Sequence, residues 1–315
     1  MSVVLPRPLT PHDTVPMGRV RHRLLLGVQW RDAVTQYPMT LPGGLSLHTW
    51  LESVGQRPCS QAFGAHGEGR VALRHEGRVA RLLARALAQA EPVDDGNPAN
   101  DADGRRLHLR VLGRRAGAGP DDGVAADPRW FVPRRLALPP VLADGSPPVT
   151  LDNLREAWLW PGAAYPLPSH ATAIRGTVRR TVAPGRSEPV PWARVLVTRP
   201  GNGAPNVATE ARLAHAHGDD RGEFLAVLGP SAVSGAALPA QLSVHLWVYL
   251  PPAAPGFDTQ RPEDSLPLER ASAARLDDVL RGTQVPPGYA LQAVRALQLT
   301  LGRVHVVPEA SLIFS

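Results

Sequence analysis

Along most of this chain apolar residues alternate with polar ones, or come in short runs broken by Gly and Pro. That is the period of strands, not helices. Val20–Trp30 predicts a strand, Leu45–Leu51 a second, and Ala65–Arg74 a Gly/acid turn followed by alternating apolar residues. Arg106–Leu112 and Trp130–Leu138 read as later strands of the same unit. After a proline-rich interval, Ile174–Arg179, Pro191–Thr198, the run after Gly222 and Gln241–Leu250 supply four more. Two segments depart from the pattern. Val79–Ala90 has the composition and spacing of a helix, and Leu268–Arg281 predicts a short helix with Leu276, Val279 and Leu280 on one face. Ala290–Leu301 is apolar enough for helix or strand, and Arg303–Val307 alternates as a strand.

These elements divide the chain into five parts. Residues 1–18 read as an extended arm, and 19–143 as a β-sandwich domain with a helical and loop insertion near 79–105. Residues 144–172 form a proline-rich linker, 173–251 a second sandwich, and 252–315 a C-terminal docking segment. The expected fold is therefore all-β: two sandwiches in tandem, with an arm and a tail. A weak internal repeat supports this. Gly27-Val28 leads to Gly69-Arg-Val-Ala-Leu73 over about the interval that links Gly176 to Gly222-Glu-Phe-Leu-Ala226.

The second unit carries three short signatures in order: Gly176-Thr-Val178, Ala193-Arg-Val-Leu-Val197 and Asp219-Asp-Arg-Gly-Glu-Phe224. In this it resembles carboxypeptidase-regulatory-like domains, whose loose pattern is G-x-V, A-x-V-x-V and D-x-x-G-x-F. The resemblance implies a transthyretin-like sandwich, with Asp219 capping a turn, Gly222 at positive φ and Phe224 in the core. It points to binding or building, not to chemistry. Trp192 departs from the pattern, which carries a small residue there, commonly Gly; a Trp implies cover for the sandwich end or an interface.

The 34 basic residues against 28 acids give a net charge of +6. All the basic residues are Arg, and their doublets are scattered, so nucleic acid is not indicated. Cys59 is the only cysteine and excludes an intramolecular disulfide. No apolar run is long enough to cross a bilayer, and the N-terminal residues lack a signal-peptide pattern. A cytoplasmic chain with no membrane contact is the expectation.

Chemistry has few candidates. His215 and His217 share one strand face and could approach a metal with Asp219 or Asp220, but a polar strand end facing solvent is the preferred reading. Asp94, Asp95, Asn97, Asn100, Asp101 and Asp103 miss the register of a calcium loop. Cys59, in an expected loop, lacks a histidine partner, and nucleophile elbows, phosphate loops and dinucleotide fingerprints are missing. The chain is therefore expected to be no enzyme, to need no cofactor and to hold no metal. Its expected partners are other protein subunits of an assembly, in a homo- or hetero-oligomer. The interface candidates are Trp158, Trp160, Trp192, Tyr289, Leu312, Ile313 and Phe314. In overall build it loosely resembles accessory subunits of phage-tail-like contractile injection particles. The alternative is a carbohydrate- or peptide-binding module using paired tryptophans.

Overall fold

The computed structural model describes residues 26–41, 43–54, 59–73, 106–115, 127–138, 154–229, 240–252, 265–269, 280–286 and 288–314. The expected N-terminal arm, the 79–105 insertion and the acidic 94–103 loop lie outside these residues. Within them the chain is all-β.

The first sandwich packs two sheets. One holds β1 (Leu26–Asp32), β4 (Gly64–Ala65), β5 (Arg70–Leu73) and β8 (Leu154–Leu159), in the order β4-β5-β1-β8. The other holds β2 (Leu45–Val54), β3 (Cys59–Ala62), β6 (Arg106–Arg115) and β7 (Arg134–Leu138), extended at its edge by β16 (Leu268–Glu269). Leu26, Val28 and Trp30 of β1 face Leu51, Leu109, Val111 and Leu136 across the core.

In the second sandwich, β9 (Ala173–Thr177) and β14 (Glu223–Val227) join β18 (Val304–Val306) in one sheet. They face β12 (Arg194–Arg199), β13 (Ala211–His217), β15 (Gln241–Leu250) and β17 (Ala290–Thr300). Alternate residues of β15, namely Leu242, Val244, Leu246, Val248 and Leu250, all point into this core. A small third sheet pairs β10 (Arg179–Ala183) with β11 (Arg186–Pro189) and with β19 (Ile313–Phe314).

The two sandwiches repeat one topology. β1 pairs β5 antiparallel and β8 parallel; β9 pairs β14 antiparallel and β18 parallel. β2 lies between β3 and β6, with β7 beyond; β12 lies between β13 and β15, with β17 beyond. The register refines the repeat expected from sequence. Gln29 opposes Arg70 as Thr177 opposes Glu223, so Val28, and not Gly27, is the counterpart of Gly176. A side chain at Gly176 would have to displace buried Leu312 and Phe224, since a Cβ there would lie 2.7 Å from Leu312 Cδ1 and 2.9 Å from Phe224 Cε1.

Several boundaries are corrected by this pairing. The segment read as a linker contains β8, the last strand of the first repeat, because Ala157 and Leu159 are needed to close that core. Residues just beyond it stay attached: Val132 N–H donates to Trp160 O, and Gly162 N–H to Trp130 O. The segment read as a docking tail contributes β17 to β19 to the second sandwich and β16 to the first. Leu268 and Glu269, expected in a helix, are extended, since there they satisfy the free edge of β7. Ala290–Thr300 resolves as strand, and Cys59 begins β3 instead of lying in a loop.

The sheet containing β9 and β14 is covered on both faces. Ile174, Phe224 and Ala226 face the second core, whereas Ala173 and Leu225 belong to the first. A sheet buried on both sides reads as a continuous apolar run instead of an alternating one, which accounts for Phe224-Leu225-Ala226 all being fully buried.

Candidate functional site

The polar side chains of greatest interest gather where the two sandwiches meet. Arg134 opens β7 in the first sandwich and Arg194 opens β12 in the second. Between them stands Glu269 of β16, on the segment that crosses back from β15 of the second sandwich. Arg134 Nε and Nη2 donate to Glu269 Oε1 and Oε2 at 3.1 and 2.5 Å, and Arg194 Nη2 donates to Oε1 at 3.3 Å. All three residues are buried, Arg134 completely. Arg134 Nη1 also donates to Trp158 O and Leu280 O, and Arg194 Nη1 to Trp192 O, so the guanidiniums bind carbonyls from both sides of the junction. A planar five-donor fork suits such a site better than any other cation.

Around this bridge lie the residues singled out by sequence. His215 and His217 do share a face of β13, and the Trp160 ring covers both, with centroids 5.6 and 5.5 Å away. His217 Nε2 lies 2.8 Å from Gly282 O. Burial, then the charges of Arg194 and Arg134, hold its pKa well below the ordinary value, so the ring is neutral and Nε2–H donates. Gly282, at φ +69, fits because a Cβ would meet Trp160 Nε1 at 2.8 Å and Arg134 Cζ at 3.0 Å.

Asp219 does not join the histidines. Its Oδ1 accepts the N–H groups of Arg221 and Glu223 at 2.8 and 2.9 Å, Gly222 is at φ +72, and Phe224 is buried. Among the described residues no group of three or more His, Cys, Asp or Glu could hold a metal ion. Asp219 Oδ2 and Asp220 Oδ1 each lie 3.5 Å from the Arg129 guanidinium of the first sandwich. Burial pushes the Asp219 carboxyl up to about 6 and that of neighbouring Asp127 up to about 7.

The interface candidates are used within the chain. Trp160 Nε1 donates to Arg281 O, and Trp158 lies under the Arg281 guanidinium at 5.2 Å. Trp192 is buried, donates from Nε1 to Ser265 Oγ, and packs with Leu112, Val132 and Leu266 between the sandwiches. It adopts φ +61, which explains why a small residue is expected there. Such a conformation costs a side-chain-bearing residue about 1–2 kcal/mol and persists only when the surroundings fix it. Here Trp192 N–H donates to Asp219 O, while Trp192 O accepts from Tyr289 Oη–H. Tyr289 in turn lies beneath Arg194, and burial raises its pKa to about 12. Leu312 and Phe314 fill the second core and half-buried Ile313 pairs with Arg179, so the apolar C-terminal residues dock on their own body.

A second buried network escaped the sequence reading. His245 Nδ1 lies 2.8 Å from Glu210 Oε1, Thr198 Oγ1 donates to Glu210 Oε2 at 2.5 Å, and Trp247 Nε1 donates to Thr198 Oγ1 at 2.6 Å. Burial opposes the Glu210 charge, but bonds from Thr198, His245 and the Asn206 N–H outweigh it and hold its pKa below the ordinary value. His245 and Trp247 occupy alternate positions of an apolar strand, and that polar spacing was the available signal. For Arg194 the signal was a lone charge inside Val-Pro-Trp-Ala-Arg-Val-Leu-Val. Chemically, both networks brace the fold: most of their polar atoms bind one another and the backbone, while Arg194 Nε and His217 Nδ1 are buried with no partner among the described residues.

No family model matches the chain, and no curated protein matches it. Among solved structures it is similar to a 9R-lipoxygenase from Cyanothece PCC8801, at 13% identity and TM-score 0.20, over 44% of this chain and 17% of that one. It is also similar to the Bacillus anthracis TIE protein, at 7% identity and TM-score 0.21, over 90% of this chain and 32% of that one. The chain thus spans less than a third of either protein's length, and superpositions this loose carry no functional argument. No helix among the described residues is long and apolar enough to cross a membrane.

Proposed function

We propose that this chain is a non-enzymatic structural or adaptor subunit of a large cytoplasmic assembly, and that the assembly is a phage-tail-like contractile injection particle. The observation that carries the reading is the Arg134–Glu269–Arg194 bridge. It joins two topologically equivalent sandwiches through a buried ionic core, and the side chains best suited to chemistry or ligand contact are engaged in holding that core together. A subunit that transmits force or position between neighbours needs such a junction more than it needs a pocket. The particle class draws on the tandem build. The second sandwich is proposed to be a carboxypeptidase-regulatory-like module of transthyretin type, supported by the Asp219–Gly222–Phe224 turn and the close approach at Gly176.

The rival reading, a carbohydrate- or peptide-binding module, requires an accessible aromatic platform. Trp160, Trp192 and Trp247 are buried, which leaves that reading without support from this geometry. The deciding experiment is gradient sedimentation of the tagged chain from its producing cells, followed by mass spectrometry of its fraction. Migration with a megadalton particle containing sheath and tube proteins is the expected result. Migration as a free monomer or small oligomer would overturn the adaptor reading.

A further inference from the structure

Between β16 and β17 the chain passes back across the junction, and residues 280–286 lie against its buried charges. Three successive carbonyls of this passage are held by three side chains. Leu280 O accepts from Arg134 Nη1, Arg281 O from Trp160 Nε1 and Gly282 O from His217 Nε2, each at 2.8 Å. Two of the donors belong to the first sandwich and one to the second. A guanidinium stays charged and an indole stays neutral; of the three, only the imidazole changes charge between about pH 5 and 8.

His217 sits where a charge is poorly tolerated. It is 1% exposed, with the Trp160 ring stacked on it at 5.5 Å and Gly282 at its Nε2. Its other nitrogen, Nδ1, is buried and has no partner among the described residues. Protonation would turn Nδ1 into a buried donor with nothing to accept it. The neighbouring charges oppose it as well. Arg194 lies opposite His217 in the β12–β13 ladder, and a Cβ at Gly282 would stand 3.0 Å from both Arg134 Cζ and His217 Cε1. Glu269, the carboxylate of the bridge, is already bonded to both guanidiniums. His215, on the same strand, shares the Trp160 ring, and Arg281, on the passage itself, stands over Trp158. Tyr289 lies under Arg194, while Asp219 and Asp220 are turned to Arg129.

We propose that residues 280–286 form an acid-sensitive latch on the junction, closed while His217 is neutral and lifted when it takes a proton. An imidazolium here can be hydrated only if its cover moves, and that cover is Gly282 and the Trp160 ring. Lifting frees Arg281 O and Gly282 O and exposes the Trp160 indole, with the strands of both sandwiches still paired.

The indole N–H of Trp160 reports the latch directly, because its acceptor is Arg281 O. The Trp30 indole N–H, bonded to Thr49 Oγ1 in the first core, is the reference. Exchange of both with solvent is measured by NMR on the purified full-length chain from about pH 7.5 to 5.5, across the range in which histidine titrates. Taking their ratio removes the effect of pH common to all indoles. The ratio of Trp160 to Trp30 exchange is expected to rise about tenfold for each pH unit below about 6.5, the ordinary value for a histidine freed from its cover. His217→Gln keeps a donor for Gly282 O and cannot take a proton, so its ratio is expected to stay flat. His215→Gln is expected to keep the rise. Should the His217 variant fold poorly, the ring nitrogens of the wild type decide: in the closed state His217 is expected to keep Nε2–H and a bare Nδ1 below about pH 6.5. Ordinary titration of His217 without faster Trp160 exchange overturns the latch. So does a flat ratio in the wild type, or a rise that survives His217→Gln. Parallel acceleration of both indoles would mean global unfolding and overturns it too.

Discussion

The turns entering β5 and β14 share two closing hydrogen bonds and a left-handed glycine, in two different settings. In the first sandwich His66 N–H donates to Arg70 O, and Trp30 N–H to Gly69 O; in the second Asp219 N–H donates to Glu223 O, and Val178 N–H to Gly222 O. Gly69 and Gly222 stand at φ +68 and +72, each with a carbonyl where a Cβ would go. The first turn is exposed and takes Gly67 and Glu68 as well through positive φ. The second is buried against the other sandwich and is fixed by the Asp219 carboxylate, Arg129 and Trp192. Topology dictates the glycine, and location dictates the charges.

The strongest way to break this comparison is to remove what joins its halves. Glu269→Ala leaves Arg134 and Arg194 facing each other, buried and without their shared anion. Removing one member of a buried ionic group costs about 3–5 kcal/mol. The loss falls on the junction, so calorimetry is expected to show one cooperative transition in the wild type and two in the variant. A single transition at unchanged temperature would show that the bridge does not couple the sandwiches.

Next in size are the paired glycines. A Cβ at position 69 would stand 2.8 Å from Trp30 O, and one at 222 would stand 2.5 Å from Val178 O. Both substitutions to Ala also force a left-handed residue, so each is expected to cost more than about 1–2 kcal/mol. Urea midpoints for the two variants sharpen the comparison. Equal losses mean that the turns are energetically equivalent; a larger loss for Gly222→Ala measures how far the junction depends on its turn.

Much of this architecture could be read from the sequence because strands announce themselves by alternation. Gln241–Leu250 places five apolar residues on one face and resolves as the centre of the second core. The turn at Asp219 was legible because a glycine and a capping carboxylate have a fixed spacing. What eluded the reading was long-range exchange between the units. Nothing local in Leu154–Leu159 says that it pairs with a strand more than a hundred residues earlier. Nor does Leu268-Glu269 reveal that it joins the first sandwich from beyond the second. Glu269 meets Arg134 across 135 residues of chain, and only the assembled topology makes them neighbours. The tryptophans follow the same logic: Trp160 stacks on His217 of the second sandwich, and Trp192 packs on Leu112 and Val132 of the first, contacts that their local spacing does not specify.

The smallest expected effect probes the ionisation that distinguishes the buried turn from the exposed one. Asp127 Oδ1 accepts the N–H of Arg129, which links the first sandwich to Asp219 and Asp220. Burial is the main reason its pKa rises from 3.8 to about 7, with Asp220 and Asp219 adding repulsion and Arg129 opposing it. A carboxyl raised on folding binds its proton more tightly in the native state. Its contribution to stability is complete below about pH 4 and is lost as the pH rises through about 7. Asp127→Asn keeps an acceptor for Arg129 N–H but cannot ionise. The variant is therefore expected to gain on the wild type between pH 5 and 8, by on the order of 1–2 kcal/mol once solvent screening is allowed for. His217, held neutral, acts in the opposite sense by destabilising the fold as the pH falls below about 6.5. Subtracting the variant's stability from that of the wild type at each pH removes this shared term and isolates Asp127. A difference that stays flat from pH 4 to 8 would mean that the carboxyl keeps its ordinary affinity for protons, and that the buried turn imposes no electrostatic demand that its exposed counterpart escapes.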